Sequence, residues 1–307
     1  MSKPFDDIPA VVIDFVRQTF GGANDKVSHT LSLHPAIHEE SLDHILVAEL
    51  TASPPAFFAA ERIGIAIETH WLGGRRMYGR WEIADIALFI TLRRQGSLAA
   101  QKVALLQTKR LYSKEVSVSE LDVDDFVIGI GQLADRPEKQ VAISRQRLFR
   151  FDKHCVYGAM HAGSDQTTNI DEYVRKYKIP VYYAFYNPTS LPLTNHYPLT
   201  AGFKRRLRNV IGCRVISSGC VHDSLKHINA GKTPSYSELE LQSRLDPADK
   251  HSAHGWRLEK FVADEVLRCR EGVIFNNLED PNLRSLFYER SAPITAAISI
   301  TVDFAAG

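Results

Sequence analysis

Trp81 to Leu92 reads WEIADIALFITL, and Lys102 to Tyr112 reads KVALLQTKRLY. Both runs have the length of buried strands and their content of Ile, Val, Leu, Phe and Tyr. Each also carries polar groups that such a strand does not need. Asp85 interrupts the first run, while Gln107 and Lys109 interrupt the second at i and i+2, positions that alternation places on one face. An aspartate, an amide and an ammonium therefore converge at one edge of a sheet. A buried charge has to be paired or to coordinate a cation. That leaves two readings: an Asp–Lys ion pair at a strand end, or a site for a hard metal ion.

Outward from these runs the pattern is α/β. Toward the N-terminus, Pro9 to Phe20 has helical spacing and is expected to stop at Gly21-Gly22, and His34 to Leu50 forms a second helix ending before Pro54-Pro55. Arg62 to Trp71 (RIGIAIETHW) reads as a strand, GGRRMYGR as a turn, and the three strands together as a meander. Downstream, residues 113–142 are mixed and acidic and read as an insertion. Asp165 to Lys178 reads as a helix opened by an Asx-type cap, followed after Pro180 by the aromatic strand VYYAFYN. The basic segment FKRRLRN leads into the strand-like GCRVISS. Lys232 to Gly255 reads as a linker, Trp256 to Arg270 as an amphipathic helix, and ITAAISITVDF as a last strand. The expected division is an N-terminal helical segment (1–34), a core (35–231), and a linker with a C-terminal cap or interaction region (232–307).

Composition narrows the function classes. With 307 residues, 44% hydrophobic and 24% charged, the chain can bury a sizeable core, and a formal net charge of +1 means that any contact with a polyanion must be local. The opening MSKPFDDIPAVVIDFVRQTF lacks the pattern of a secretory signal, and no uncharged run approaches the roughly 18 residues needed to span a bilayer. Cys155, Cys213, Cys220 and Cys269 form no CxxC pair, so reduced thiols are expected rather than a zinc site or disulfides. The expectation is a cytoplasmic protein with no membrane partner.

The order of these features resembles a known family. A helix with an acid at Glu39 or Glu40, strands carrying Asp85, and a strand ending in Gln107-Thr108-Lys109 resemble the PD-(D/E)XK nuclease superfamily, with its restriction-endonuclease-like fold. The glutamine resembles the QxK variant of Mrr-like restriction enzymes, and the helix with Gln166 followed by VYYAFYNP resembles the elements that complete that core. The resemblance covers about residues 35–225. Ala84 stands where the family has proline, and Gln107 replaces the usual acid. The resemblance implies a mixed central sheet flanked by helices, extra C-terminal α/β elements, and Mg²⁺-dependent hydrolysis of nucleic acid, DNA before RNA, in prokaryotic restriction or anti-phage defence. A homo-oligomer or a partner protein of such a system is also implied.

The chemistry accounts for the grouping. A carboxylate-bound Mg²⁺, or Mn²⁺ in its place, acidifies a water and compensates charge on the phosphoryl group. Asp85 is expected as the principal ligand. Gln107 offers only a neutral carbonyl oxygen, so a second acid is required, with Glu40, Glu82 and Glu68 as candidates; Glu40 matches the family's helix position. Lys109 would stand at the attacking water and the scissile phosphate. Arg75, Arg76 and Arg80, with Lys204, Arg205, Arg206 and Arg208, are candidate phosphate contacts, although charge runs also serve as plain solvated faces. The alternative function is a nuclease-like protein that binds nucleic acid or a partner without cutting.

Other constellations carry less. His34 and His38 are four apart, but Pro35 disturbs the turn between them. His251 and His254 lie in the polar linker. Gly129-Ile130-Gly131 lacks the remainder of a dinucleotide fingerprint, and there is no phosphate-binding GKS or GKT loop.

Overall fold

The computed structural model describes residues 4–71, 83–117, 147–197, 208–243, 255–268, 270–275, 277, 279–288 and 294–305. In chain order the elements are α1 (Ala10–Leu33), α2 (Glu39–Thr51), β1 (Ala56–Phe58), β2 (Ile63–Trp71), β3 (Ile86–Arg94), β4 (Ser97–Arg110), β5 (Lys114–Ser117), β6 (Arg147–Phe151) and α3 (Asp165–Tyr177). Then follow β7 (Val181–Tyr186), β8 (Leu193–Tyr197), β9 (Arg214–Ser217), α4 (Ser218–Leu225), α5 (Tyr236–Ser243), β10 (Trp256–Arg257), α6 (Leu258–Lys260), a π-helical turn (Phe261–Val266), β11 (Val273–Phe275), α7 (Pro281–Tyr288) and β12 (Ala296–Phe304).

The fold is α/β. A large mixed sheet runs β1-β2-β12-β3-β4-β7-β9-β10, with β11 added to β4, and a small sheet runs β5-β6-β8. Tyr183 and Tyr186 on β7 point to opposite faces by alternation. Tyr186 meets α2 and Tyr183 meets α4, so helices cover both faces. That double cover explains why all six residues of β7 are buried.

The expected meander is corrected by the pairing. β2 and β3 are not neighbours: β12 lies between them, antiparallel to β2 and parallel to β3 along its whole length. Its alternating sequence places Ile298, Ile300 and Val302 in the core, and a nine-residue strand of that pattern buries more when both edges are paired than when it ends a sheet. Residues expected as an appended cap thus supply β10, β11 and β12 to the main sheet. Residues 244–254 of the expected linker lie outside the described residues, as does most of the expected insertion.

Two helices also differ from expectation. α1 continues through Gly21-Gly22 to Leu33. Each glycine costs about 1 kcal/mol in a helix interior. Burial of Val12, Ile13, Val16, Phe20, Ala23, Val27 and Leu31 along one stripe outweighs that cost. The expected helix from Trp256 begins instead as β10, because Trp256 and Arg257 pair with Val215 and Arg214 of β9. Its helical part then widens into a π turn, in which Leu267 N–H reaches back to Val262 C=O. This segment packs on α1, where Arg17 pairs with Asp264 at 2.7 Å and Asn24 donates to Glu259 at 2.7 Å.

Candidate functional site

The backbone around Asp85 is fixed from two sides. Its N–H donates to Leu106 C=O on β4, and its C=O accepts from Thr295 and Ala296 N–H at the start of β12, all at 2.9 Å. The C-terminal strand therefore anchors the residue that the sequence marks most clearly. β3 begins at Ile86, opposite Leu106, while β4 runs on through residues 107–110 with its other edge paired to β7. Past β3, the outward N–H groups of that extension have no neighbouring strand among the described residues.

Two carboxylates take those donors. Asp85 Oδ2 accepts from Thr108 N–H at 2.6 Å, and Glu39 Oε2 accepts from Arg110 N–H at 2.8 Å. Glu39 is the first residue of α2, so the helix start is aimed at the open strand edge. Around this cap the side chains converge. Gln107 Nε2 donates to Asp85 Oδ2 at 2.5 Å, and Lys109 Nζ lies 3.4 Å from Glu39 Oε1. Both Gln107 and Lys109 are buried. Arg110 closes the end of the strand by donating to Pro35 C=O at 2.9 Å and stacking on Tyr112.

A second acid lies behind the first. Asp43, on α2, accepts from Tyr186 O–H at 2.6 Å, and Thr108 Oγ1 lies 3.0 Å from both Asp43 Oδ2 and Asp85 Oδ2. One hydroxyl carries one proton and cannot donate fully to two carboxylates. The network closes when Asp43 is protonated: Asp43 Oδ2–H donates to Thr108, Thr108 O–H to Asp85, and Tyr186 O–H to Asp43 Oδ1.

The electrostatics agree. Burial, with repulsion from Asp85 and Glu39, holds the Asp43 carboxyl well above its ordinary range. Burial also raises Asp85, with Glu40 adding repulsion, while Lys109 and the two Thr108 hydrogen bonds oppose the shift. Glu39 is raised by burial and Asp85, and restrained by Lys109 and Arg110 N–H. Buried negative charge is thus under-compensated, with the Lys109 ammonium as the cation that most lowers Asp85 and Glu39.

The residues expected from sequence divide as follows. Asp85, Gln107 and Lys109 come together. Glu40 is exposed at the start of α2 and acts on Asp85 through charge, whereas its neighbour Glu39 makes the direct contacts. Glu68 is exposed on β2; the registers put it two strands away from Asp85 and level with Phe89. Glu82, Arg75, Arg76, Arg80, Lys204, Arg205 and Arg206 lie outside the described residues, and Arg208 is exposed. His34 follows α1, His38 precedes α2, and Gln166 is half-buried on α3. Sequence reading missed Asp43, Thr108 and Tyr186. The signal for Asp43 was available: an acid within the α2 stripe Leu42, Leu46, Val47 and Leu50, one helical turn after Glu39.

A hard divalent cation needs oxygen donors, and the site offers them at Asp85 and Gln107. Gln107 Oε1 is buried and among the described residues has no hydrogen-bond partner, a costly state for a carbonyl oxygen and a natural one for a cation ligand. Among the described residues no group of three or more His, Cys, Asp or Glu side chains is arranged to hold a metal. Mg²⁺ commonly uses one or two carboxylates and keeps several waters, so Asp85 with the Gln107 oxygen fits such an ion. Among the described residues no helix is long and apolar enough to cross a membrane. Comparison of the chain with family models, with curated proteins and with solved structures gave no match.

Proposed function

We propose that the chain is a Mg²⁺-dependent nuclease of the restriction-endonuclease-like type, cutting DNA in a prokaryotic defence setting, with Asp85, Gln107 and Lys109 at its centre. The observation that carries this reading is the buried Gln107 oxygen, without a hydrogen-bond partner among the described residues, next to Asp85, whose carboxyl pKa is raised by burial, and Lys109. The succession α2, β2, β3, β4, α3, β7, with β4 and β7 parallel, supports the same core. Asp85 and Gln107 would hold the cation, which supplies Lewis acidity and an acidified water.

The chain's own groups do the remaining work. Gln107 donates its amide N–H to Asp85, which fixes the carboxylate. Thr108, clamped between Asp43 and Asp85, locks the second face of Asp85. Lys109 carries a buried point charge whose partner, Glu39, is 3.4 Å away, long enough for the ammonium to turn to a phosphoryl oxygen. The test is plasmid cleavage with Mg²⁺, Mn²⁺ or EDTA by wild type and Asp85→Asn. Metal-dependent cutting that disappears in the variant supports the reading, and equal cutting by both rejects it.

One observation favours a second reading, a nuclease-like protein that binds without cutting. Asp85 Oδ2 already receives Gln107 Nε2, Thr108 N–H and Thr108 Oγ1, so the donors of the strand edge account for that oxygen by themselves. Unimpaired nucleic-acid binding without cleavage under any metal would select it.

A further inference from the structure

The two parallel strands of the candidate site continue into the small sheet. β5 begins after residues 111–113, which follow β4, and β8 begins after residues 187–192, which follow β7. β6 pairs with both, so this sheet stands beyond the carboxyl ends of β4 and β7. Ligands of open α/β sheets collect beyond strand carboxyl ends. At this place a 280 Å³ cavity is lined by Arg150, Asp152, Lys153, His154, Leu191 and Pro192.

Its basic wall is a held turn. Asp152 Oδ1 accepts from His154 N–H at 2.8 Å, Cys155 N–H donates to Asp152 C=O at 3.1 Å, and the buried Cys155 Sγ accepts from Asp152 N–H at 3.3 Å. These contacts fix the backbone and leave Lys153 and His154 projecting into solvent. The Asp152 carboxylate is shared between Lys114 at 3.8 Å and Arg150 at 3.5 Å. Two cations, Arg150 and Lys153, therefore line the cavity with one anion, Asp152, and among the described residues Lys153 makes no ion pair. Leu191 and Pro192 supply the apolar part of the lining. Cations and an apolar ledge in one cavity suit a phosphate joined to a sugar and base. Lys109 and Lys114 are five residues apart, so their Cα atoms lie at most about 18 Å apart, within reach of one short strand.

We propose that this pocket holds one nucleotide of a single-stranded nucleic-acid segment beside the candidate site, with its phosphate on Arg150 and Lys153 and its base on Leu191-Pro192. The polymer's identity rests on the nuclease reading, whereas the pocket chemistry does not. At about 280 Å³ the cavity is on the scale of a single nucleotide.

The test is fluorescence anisotropy in EDTA with a labelled oligothymidylate and a duplex of equal length, using wild type, Lys153→Glu and Arg150→Gln/Lys153→Glu. Lys153 is exposed, and a thermal melt shows whether each variant is folded. The expected result is single-strand affinity lowered about tenfold or more, a shallower salt dependence, and a smaller loss for duplex. Unchanged single-strand affinity in folded variants, a loss confined to duplex, or no single-strand binding by wild type overturns the inference. Plasmid cleavage is read separately. Wild type that cuts while the variants bind normally removes the pocket and keeps the nuclease. Wild type that never cuts, with binding lost in the variants, removes the nuclease and keeps the pocket.

Discussion

Asp43→Asn is expected to make the protein less sensitive to rising pH without unfolding it. In the folded chain Asp43 sits between Tyr186 O–H and Thr108 Oγ1, the geometry of a protonated carboxyl. An introduced asparagine presents an oxygen to Tyr186 and an N–H to Thr108, so it reproduces the protonated acid. The sign follows from the direction of the shift. A carboxyl whose folded pKa is raised binds more proton folded than unfolded, so its stability contribution is complete below the unfolded value, near 4, and is lost as pH rises toward the folded value. For each proton retained on folding, stability falls by about 1.4 kcal/mol per pH unit within that window. Asp85 and Glu39 are raised as well and add in the same direction. Each pH unit of that window is a noticeable part of an ordinary domain's stability of about 5–15 kcal/mol. Urea unfolding in EDTA across the range from about pH 5 to pH 8 measures the slope. Wild type should lose stability with rising pH, and the variant should lose less. A flat or rising wild-type curve, or equal slopes in the two proteins, refutes the assignment of the proton to Asp43.

Other perturbations separate the parts of the account. Tyr186→Phe removes the donor to Asp43 Oδ1 and should cost about 1–3 kcal/mol in urea unfolding; a neutral result would mean that Asp43 does not depend on this bond. Gln107→Glu sets a second carboxylate against Asp85, so Mg²⁺ should raise its thermal midpoint more than it raises wild type's, and an equal response argues against a cation between the two. Ile300→Ala, in the middle of β12, should cost about 2–5 kcal/mol, since the side chain is fully buried. A cost below about 1 kcal/mol would contradict the central placement of that strand.

The legible parts of the fold were those set by local pattern. β4, α3 and β7 announce themselves by periodicity and by their turn residues, and Gln107 and Lys109 stood out as polar groups in an apolar run. The position of β12 was not legible: its alternation says that it is a strand and says nothing of its neighbours, because pairing across the chain leaves no local mark. The same holds for the anchoring of Asp85, whose C=O is held by Thr295 and Ala296 from the far end of the sequence. Gly21-Gly22 misled because local propensity is weak beside the burial along α1. Family position points to Glu40, whereas the rotation of α2, which sequence does not give, turns Glu39 and Asp43 toward the strand edge and leaves Glu40 exposed.

The central claim is that Asp85, Gln107 and Lys109 cut a phosphodiester backbone, and Lys109→Ala tests it most directly. Plasmid cleavage with Mg²⁺ and DNA affinity in EDTA should be measured on the same preparations of wild type and variant. The account predicts metal-dependent cleavage by wild type, its loss in the variant, and DNA affinity within about threefold of wild type, since one buried ammonium is a small part of a phosphate-tracking surface. Cleavage retained by Lys109→Ala, or no cleavage by wild type with either Mg²⁺ or Mn²⁺ despite tight binding, contradicts it.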